Sequence, residues 1–188
     1  MNNQSYPVAI QSLIHSINLH GNNLIGIEVG VWKGASTYCM LENCPTIKEL
    51  HAIDKFEPFV DHIESAEENV GAWYCDEREI EIAEFLFHHN MKYCKNNDKL
   101  TFYKGNSDDL VNNFANEYFD FVFLDAYLSE EDVYKDLTLW YPKLKTGGLF
   151  MGDDIDDPKV EKTVINWRLQ ENIESPISIF DGTFVWAK

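Results

Sequence analysis

Two glycines four residues apart, Gly30 and Gly34, in the stretch 24–40 (LIGIEVGVWKGASTYCM), constrain this chain more than any other feature. The apolar run 24–29 predicts a strand, Gly30 and Gly34 a turn, and residues 35–41 a helix. Strand, glycine turn and helix form the opening unit of α/β folds that hold nucleosides beyond the carboxyl ends of parallel strands. Glycine lets a ligand approach the backbone because no Cβ intervenes. The helix start beyond it offers unpaired N–H groups. Glu28, just ahead of Gly30, belongs to the ligand end of the strand. Glu28, Gly30, Trp32, Gly34 and Ser36 are therefore candidate cofactor contacts.

The rest of the chain repeats that alternation. Val8, Ala9, Leu13, Ile14 and Ile17 have helical spacing across 6–19. A strand over 49–53 ends in Asp54, where such folds hydrogen-bond ribose hydroxyls, although an Asp there also serves as a cap. Residues 77–94 predict a helix burying Ile80, Ala83, Phe87 and Met91; His88 and His89 on it point in different directions. A strand over 100–104 leads into Gly105-Asn106-Ser107-Asp108, a polar loop suited to a base or to capping a helix over 109–114. FDFVFLD, 119–125, reads as a central strand buried on both faces and ends in Asp125. Then come a helix over 130–141, a turn at 145–148, a strand over 149–151 and a helix over 160–169. A hairpin around Asp181-Gly182 closes the chain. The alternation predicts a doubly wound parallel sheet with helices on both faces and a final antiparallel strand. Residues 56–75 exceed a usual connection and read as a partly helical insertion beside the ligand mouth, within a single domain spanning 1–188.

Charge narrows the partner. The formal net charge is −17, and the 15 basic residues are scattered, so a nucleic-acid backbone is repelled and a small molecule fits better. No apolar run approaches ~20 residues, so no membrane span is expected, and MNNQSYP lacks a signal-peptide pattern. Four cysteines without CxxC spacing suit a reducing cytoplasm. Monomer and homodimer both remain open.

The glycine loop also bears on the cofactor. A nicotinamide fingerprint needs glycine where Trp32 stands, and a bulky indole collides with a pyrophosphate. A sulfonium cofactor carries no phosphate, and carboxylates such as Glu28 and Asp125 complement its charge. IEVGVWKGAS, the AID of strand two, KGNSDDL, FDFVFLDA and LWYPKLKTGGLFMGDD together resemble class I S-adenosylmethionine-dependent methyltransferases of the small-molecule O-methyltransferase-like group. The resemblance runs in order from about residue 24 to 155. It implies a Rossmann-like seven-stranded mixed sheet, six strands parallel and the last antiparallel. It puts Glu28, Gly30 and Gly34 around the methionine moiety, Asp54 on the ribose, Asn106 and Ser107 near the adenine, and Asp125 at the amino group or reacting centre.

The resemblance also implies a Mg²⁺ site at Asp125, Asp153 and Asp154, matching the Asp, Asp and Asn of catechol-type and caffeoyl-coenzyme A-type enzymes; the paired Asp equally reads as a helix cap. One position departs from the family. Leu128 stands where its members carry a His, and leucine takes no proton. His62 or Tyr127 could substitute as the base, although spacing supports neither, and Asp125 and His62 are the candidate catalytic residues. The expected function is S-adenosylmethionine-dependent methyl transfer to an oxygen of a small molecule. Its rivals are a non-catalytic cofactor-binding protein on the same fold and an NAD-dependent oxidoreductase.

Overall fold

The computed structural model describes residues 8–63, 71–126 and 129–188. In chain order the elements are α1 (Val8–His20), β1 (Leu24–Val29), α2 (Ala35–Asn43), β2 (Ile47–Asp54), β3 (Phe59–Ile63), β4 (Gly71–Cys75), α3 (Glu77–Tyr93), β5 (Leu100–Lys104), α4 (Ser107–Leu110), β6 (Phe119–Leu124), α5 (Glu130–Trp140), β7 (Leu144–Gly152), α6 (Pro158–Gln170), β8 (Ser178–Phe180) and β9 (Thr183–Ala187). Seven strands make one sheet in the order β5-β2-β1-β6-β7-β9-β8. The pairings among β5, β2, β1, β6 and β7 are parallel, and β9 runs antiparallel to both its neighbours. The chain winds outward from β1 through β2 to β5, then returns to build β6 and β7 on the other side. The reversal opens a crevice beyond the carboxyl ends of β1 and β6, where such sheets bind ligands.

Side-chain alternation explains why β6 holds the centre. Phe121 and Phe123 pack on one face with Leu13, Ile17, Met40 and Phe87; Val122 and Leu124 pack on the other with Leu137, Trp140, Val164 and Trp167. Burial on both faces accounts for the unbroken apolar run. Gly26 on neighbouring β1 makes room for it: a Cβ there falls 1.9 Å from the Phe121 ring.

Three local expectations change. The described residues of 56–75 hold no helix: β3 and β4 pair antiparallel as a separate two-stranded sheet, Phe59 opposite Cys75. Its β-branched and aromatic residues carry strand propensity that the intervening acids obscure. Residues 145–148 are not a turn but part of β7. Gly148 is there for close strand approach, since a Cβ would sit 2.8 Å from the Asp120 carbonyl oxygen. The helix expected over 109–114 begins at Ser107 instead, because the Asn106 side chain accepts the Asp108 N–H at 3.2 Å and caps it.

Candidate active site

The crevice is built where three strand ends are stitched together. Gly30 donates its N–H to Ile53 at the end of β2 (2.9 Å), and Asp125 donates its own to Val29 at the end of β1 (2.8 Å). Gly30 adopts φ +87°, and a Cβ on it would lie 2.1 Å from the Asp125 carbonyl oxygen. Glycine is required here by the crossing of two backbones as well as by the left-handed turn. Gly30→Ala is expected to cost about 2–5 kcal/mol, from strain and from displacement of the Asp125 loop. Urea unfolding of the variant checks this, and a midpoint equal to wild type counts against it.

Asp54 holds the loop beyond Gly30. One carboxylate oxygen, Oδ2, accepts the N–H groups of Val31 (3.0 Å) and Trp32 (2.9 Å), and Oδ1 accepts that of Phe56 (2.8 Å). These bonds fix Trp32 at φ +47°, a conformation that costs a non-glycine residue about 1–3 kcal/mol. The indole meets Phe59 edge-on at 6.1 Å, so the β3–β4 hairpin is tied to the rim of the crevice.

Below the loop, Glu28 is fully buried and accepts hydroxyl hydrogen bonds from Ser36 and Thr37 at the start of α2. Loss of solvent pushes its carboxyl up to about 7. Gly34 packs toward Phe87, 2.8 Å from where its Cβ would be. Glu28, Gly34 and Ser36 thus lie behind the cavity surface and clamp β1 to α2. Gly30, Trp32, Asp54, Asn106, Ser107 and Asp125, the other six candidate cofactor contacts, line one cavity of about 430 Å³.

The same cavity has a wall that the sequence reading did not include: Lys55 and Glu57 after β2, and Asp132, Lys135 and Asp136 on α5. Asp136 is buried and accepts the Ser107 hydroxyl at 3.3 Å; burial pushes its carboxyl up to about 7. The signal was present, since Asp136 falls within the stripe Val133, Leu137 and Trp140 that α5 turns to the core. Lys135 forms an ion pair with Asp108. Burial, together with Asp153, Glu28, Asp154 and Asp54, holds the Asp125 carboxyl well above the usual range. Seven carboxylates and two lysines line the cavity, an environment that attracts cations and repels diphosphates.

The three carboxylates expected at a metal do not come together as a ligand set. Asp154 lines the cavity, whereas Asp153 lies outside the lining and accepts the Thr183 hydroxyl at 3.1 Å. Among the described residues no group of three His, Cys, Asp or Glu side chains is arranged to hold a metal ion. His62 sits on β3 opposite Ala72; its side chain, and all of Tyr127 and Leu128, lie outside the described residues.

Residues 27–155, more than two thirds of the chain, match the family described as methyltransferase domain. The chain belongs to that family. Its sheet order, with the final strand antiparallel and inserted next to last, is the one this methyltransferase fold uses. No curated protein matches the sequence significantly. Among solved structures, the O-methyltransferase of Bacillus cereus in complex with SAH shares 15% identity at TM-score 0.64, over 100% of this chain and 84% of that one. TomG of Streptomyces achromogenes, an O-methyltransferase of tomaymycin synthesis in complex with SAM, shares 13% at TM-score 0.64, over 95% and 78%. Precorrin-8w decarboxylase of Methanobacterium thermoautotrophicum shares 14% at TM-score 0.65, over 100% and 96%. At these identities the likeness is one of fold, and one fold serves different chemistries. No helix among the described residues is long and apolar enough to cross a membrane.

Proposed function

We propose that this methyltransferase-family chain binds S-adenosylmethionine in the acid-lined cavity and transfers its methyl group to an oxygen of a small molecule. The observation that carries this is the charge of the cavity. Seven carboxylates surround a space into which Gly30, Asp54, Ser107 and Asp125 all turn, and one of its two lysines is paired. A sulfonium and an ammonium are stabilised there, and a diphosphate is not. The residues fit the cofactor along its length. Asp54 Oδ1, with one hydrogen bond already accepted, keeps a lone pair for a ribose hydroxyl. Asn106 and Ser107, which line the cavity, would hold the base, and Asp125 the charged end.

When bound, the cofactor would supply an activated methyl carbon on a positively charged sulfur. The chain's own part is positioning and proton handling. Asp125 takes the acceptor's hydroxyl proton. A carboxyl held well above its ordinary pKa is a stronger base near neutral pH than an exposed one. Trp32 and Phe59 form an apolar edge over the mouth and exclude water. Asp125, Asp153 and Asp154 do not present a three-ligand set, so no step is assigned to Mg²⁺.

A panel of phenols, sugars and amines assayed with S-adenosylmethionine tests the proposal. Turnover on a hydroxylated acceptor, unchanged by EDTA, is the expected result. Tight cofactor binding with no turnover on any acceptor favours the non-catalytic alternative that Leu128 raises.

A further inference from the structure

Helix α3 has two apolar faces. Ile80, Ala83, Phe87 and Met91 are buried in the core. On the opposite side Ile82, Phe85 and Tyr93 are 46%, 66% and 66% exposed. His89 completes a continuous stripe with them at spacings of three and four residues. Its ring stacks on Phe85 at 5.8 Å and meets Tyr93 at 5.0 Å. A surface helix ordinarily presents charge on its outer face, and an ordered apolar stripe there marks a contact.

The charges beside the stripe identify the occupant. Glu77, Glu79, Glu81 and Glu84 outnumber the single cation Arg78 in the first half of α3, whereas Lys92 and Lys95 lie at and just beyond its end. Glu79 is held in the capping box with Asp76, and Glu84 pairs with Lys104. Glu81 and Lys92 are exposed and, among the described residues, in no ion pair. They are eleven residues apart, close to three turns, and so share one flank of the stripe. A twofold axis perpendicular to a helix maps each flank onto itself in the reverse direction. Antiparallel packing against a second copy therefore sets Glu81 beside the partner's Lys92, and Lys92 beside the partner's Glu81. The contact is self-complementary, as a twofold interface requires. Parallel packing instead brings the two acidic halves together.

We infer that α3 is a homodimer face, on which two copies of this chain pack antiparallel through Ile82, Phe85, His89 and Tyr93. This is independent of the reaction assigned to the cavity. Light scattering on the full chain is expected to give twice the monomer mass of 21.8 kDa. Phe85→Glu should give a monomer with an unchanged circular dichroism spectrum. Glu81→Lys and Lys92→Glu should each weaken the dimer, and the double variant should restore it. Oxidation of Ile82→Cys protein mixed with Tyr93→Cys protein should cross-link the two variants to each other. A wild-type chain that stays monomeric across the micromolar range overturns the inference, as does a dimer that survives Phe85→Glu. Cross-linking of Tyr93→Cys to itself in preference to the mixed pair overturns the antiparallel arrangement.

Discussion

Asp125→Asn is expected to lower kcat by about 10²–10⁴-fold while leaving the fold intact. The substitution keeps the size and shape of the side chain, and the stitch between β6 and β1 uses the Asp125 backbone N–H, which asparagine retains. The lost property is proton acceptance. Asparagine also relieves crowding, because Asp153, Glu28, Asp154 and Asp54 all act on the Asp125 carboxyl as negative neighbours. Thermal stability should therefore hold or rise as activity falls, a divergence that a damaged fold does not produce. The pH profile adds a second readout. Wild-type kcat/KM should rise with pH as Asp125 loses its proton, and the variant should lack that limb. An Asp125→Asn enzyme of wild-type rate would remove Asp125 as the base.

The second large effect is on stability. Glu28 titrates near 7 in the folded chain and near 4.5 when exposed. Between those values the folded state binds the extra proton, so stability falls as pH rises through that window and levels off above about 7. Below about 4.5 the carboxyl is protonated in both states and the penalty vanishes. Asp136, raised from 3.8 to about 7 by burial, acts in the same direction. For the fully buried Glu28 the loss is about 3 kcal/mol. Glu28→Gln stays neutral and can still hydrogen-bond Ser36 and Thr37. Its urea-unfolding free energy should change less than that of wild type between pH 5 and pH 8, by about 3 kcal/mol. Equal pH dependence in the two proteins would contradict the burial argument.

Much of this was legible in the sequence because the physics is local. An apolar run ended by glycine, and another ended by Asp125, set the two central strands and the point where ligands bind. The hairpin at β3–β4 was not legible: its pairing joins residues across an acidic stretch whose composition suggests helix. β7 reads short in the sequence because Gly147 and Gly148 carry turn propensity, whereas Gly148 serves close packing against Asp120. Glu28 illustrates a different limit. Its position beside Gly30 pointed to the ligand, but the two hydroxyls that follow, Ser36 and Thr37, turn it inward to clamp the first helix. Asp136 is the converse case: its place in the apolar stripe of α5 signals burial, but the cavity it lines is defined only once α5 is docked.

Calorimetric titration of the full chain tests the central claim, that the acid-lined cavity holds a sulfonium cofactor. S-adenosylmethionine and S-adenosylhomocysteine should each bind at one site, and NAD⁺ should produce no heat beyond dilution. Binding of NAD⁺ without either of them would contradict the account.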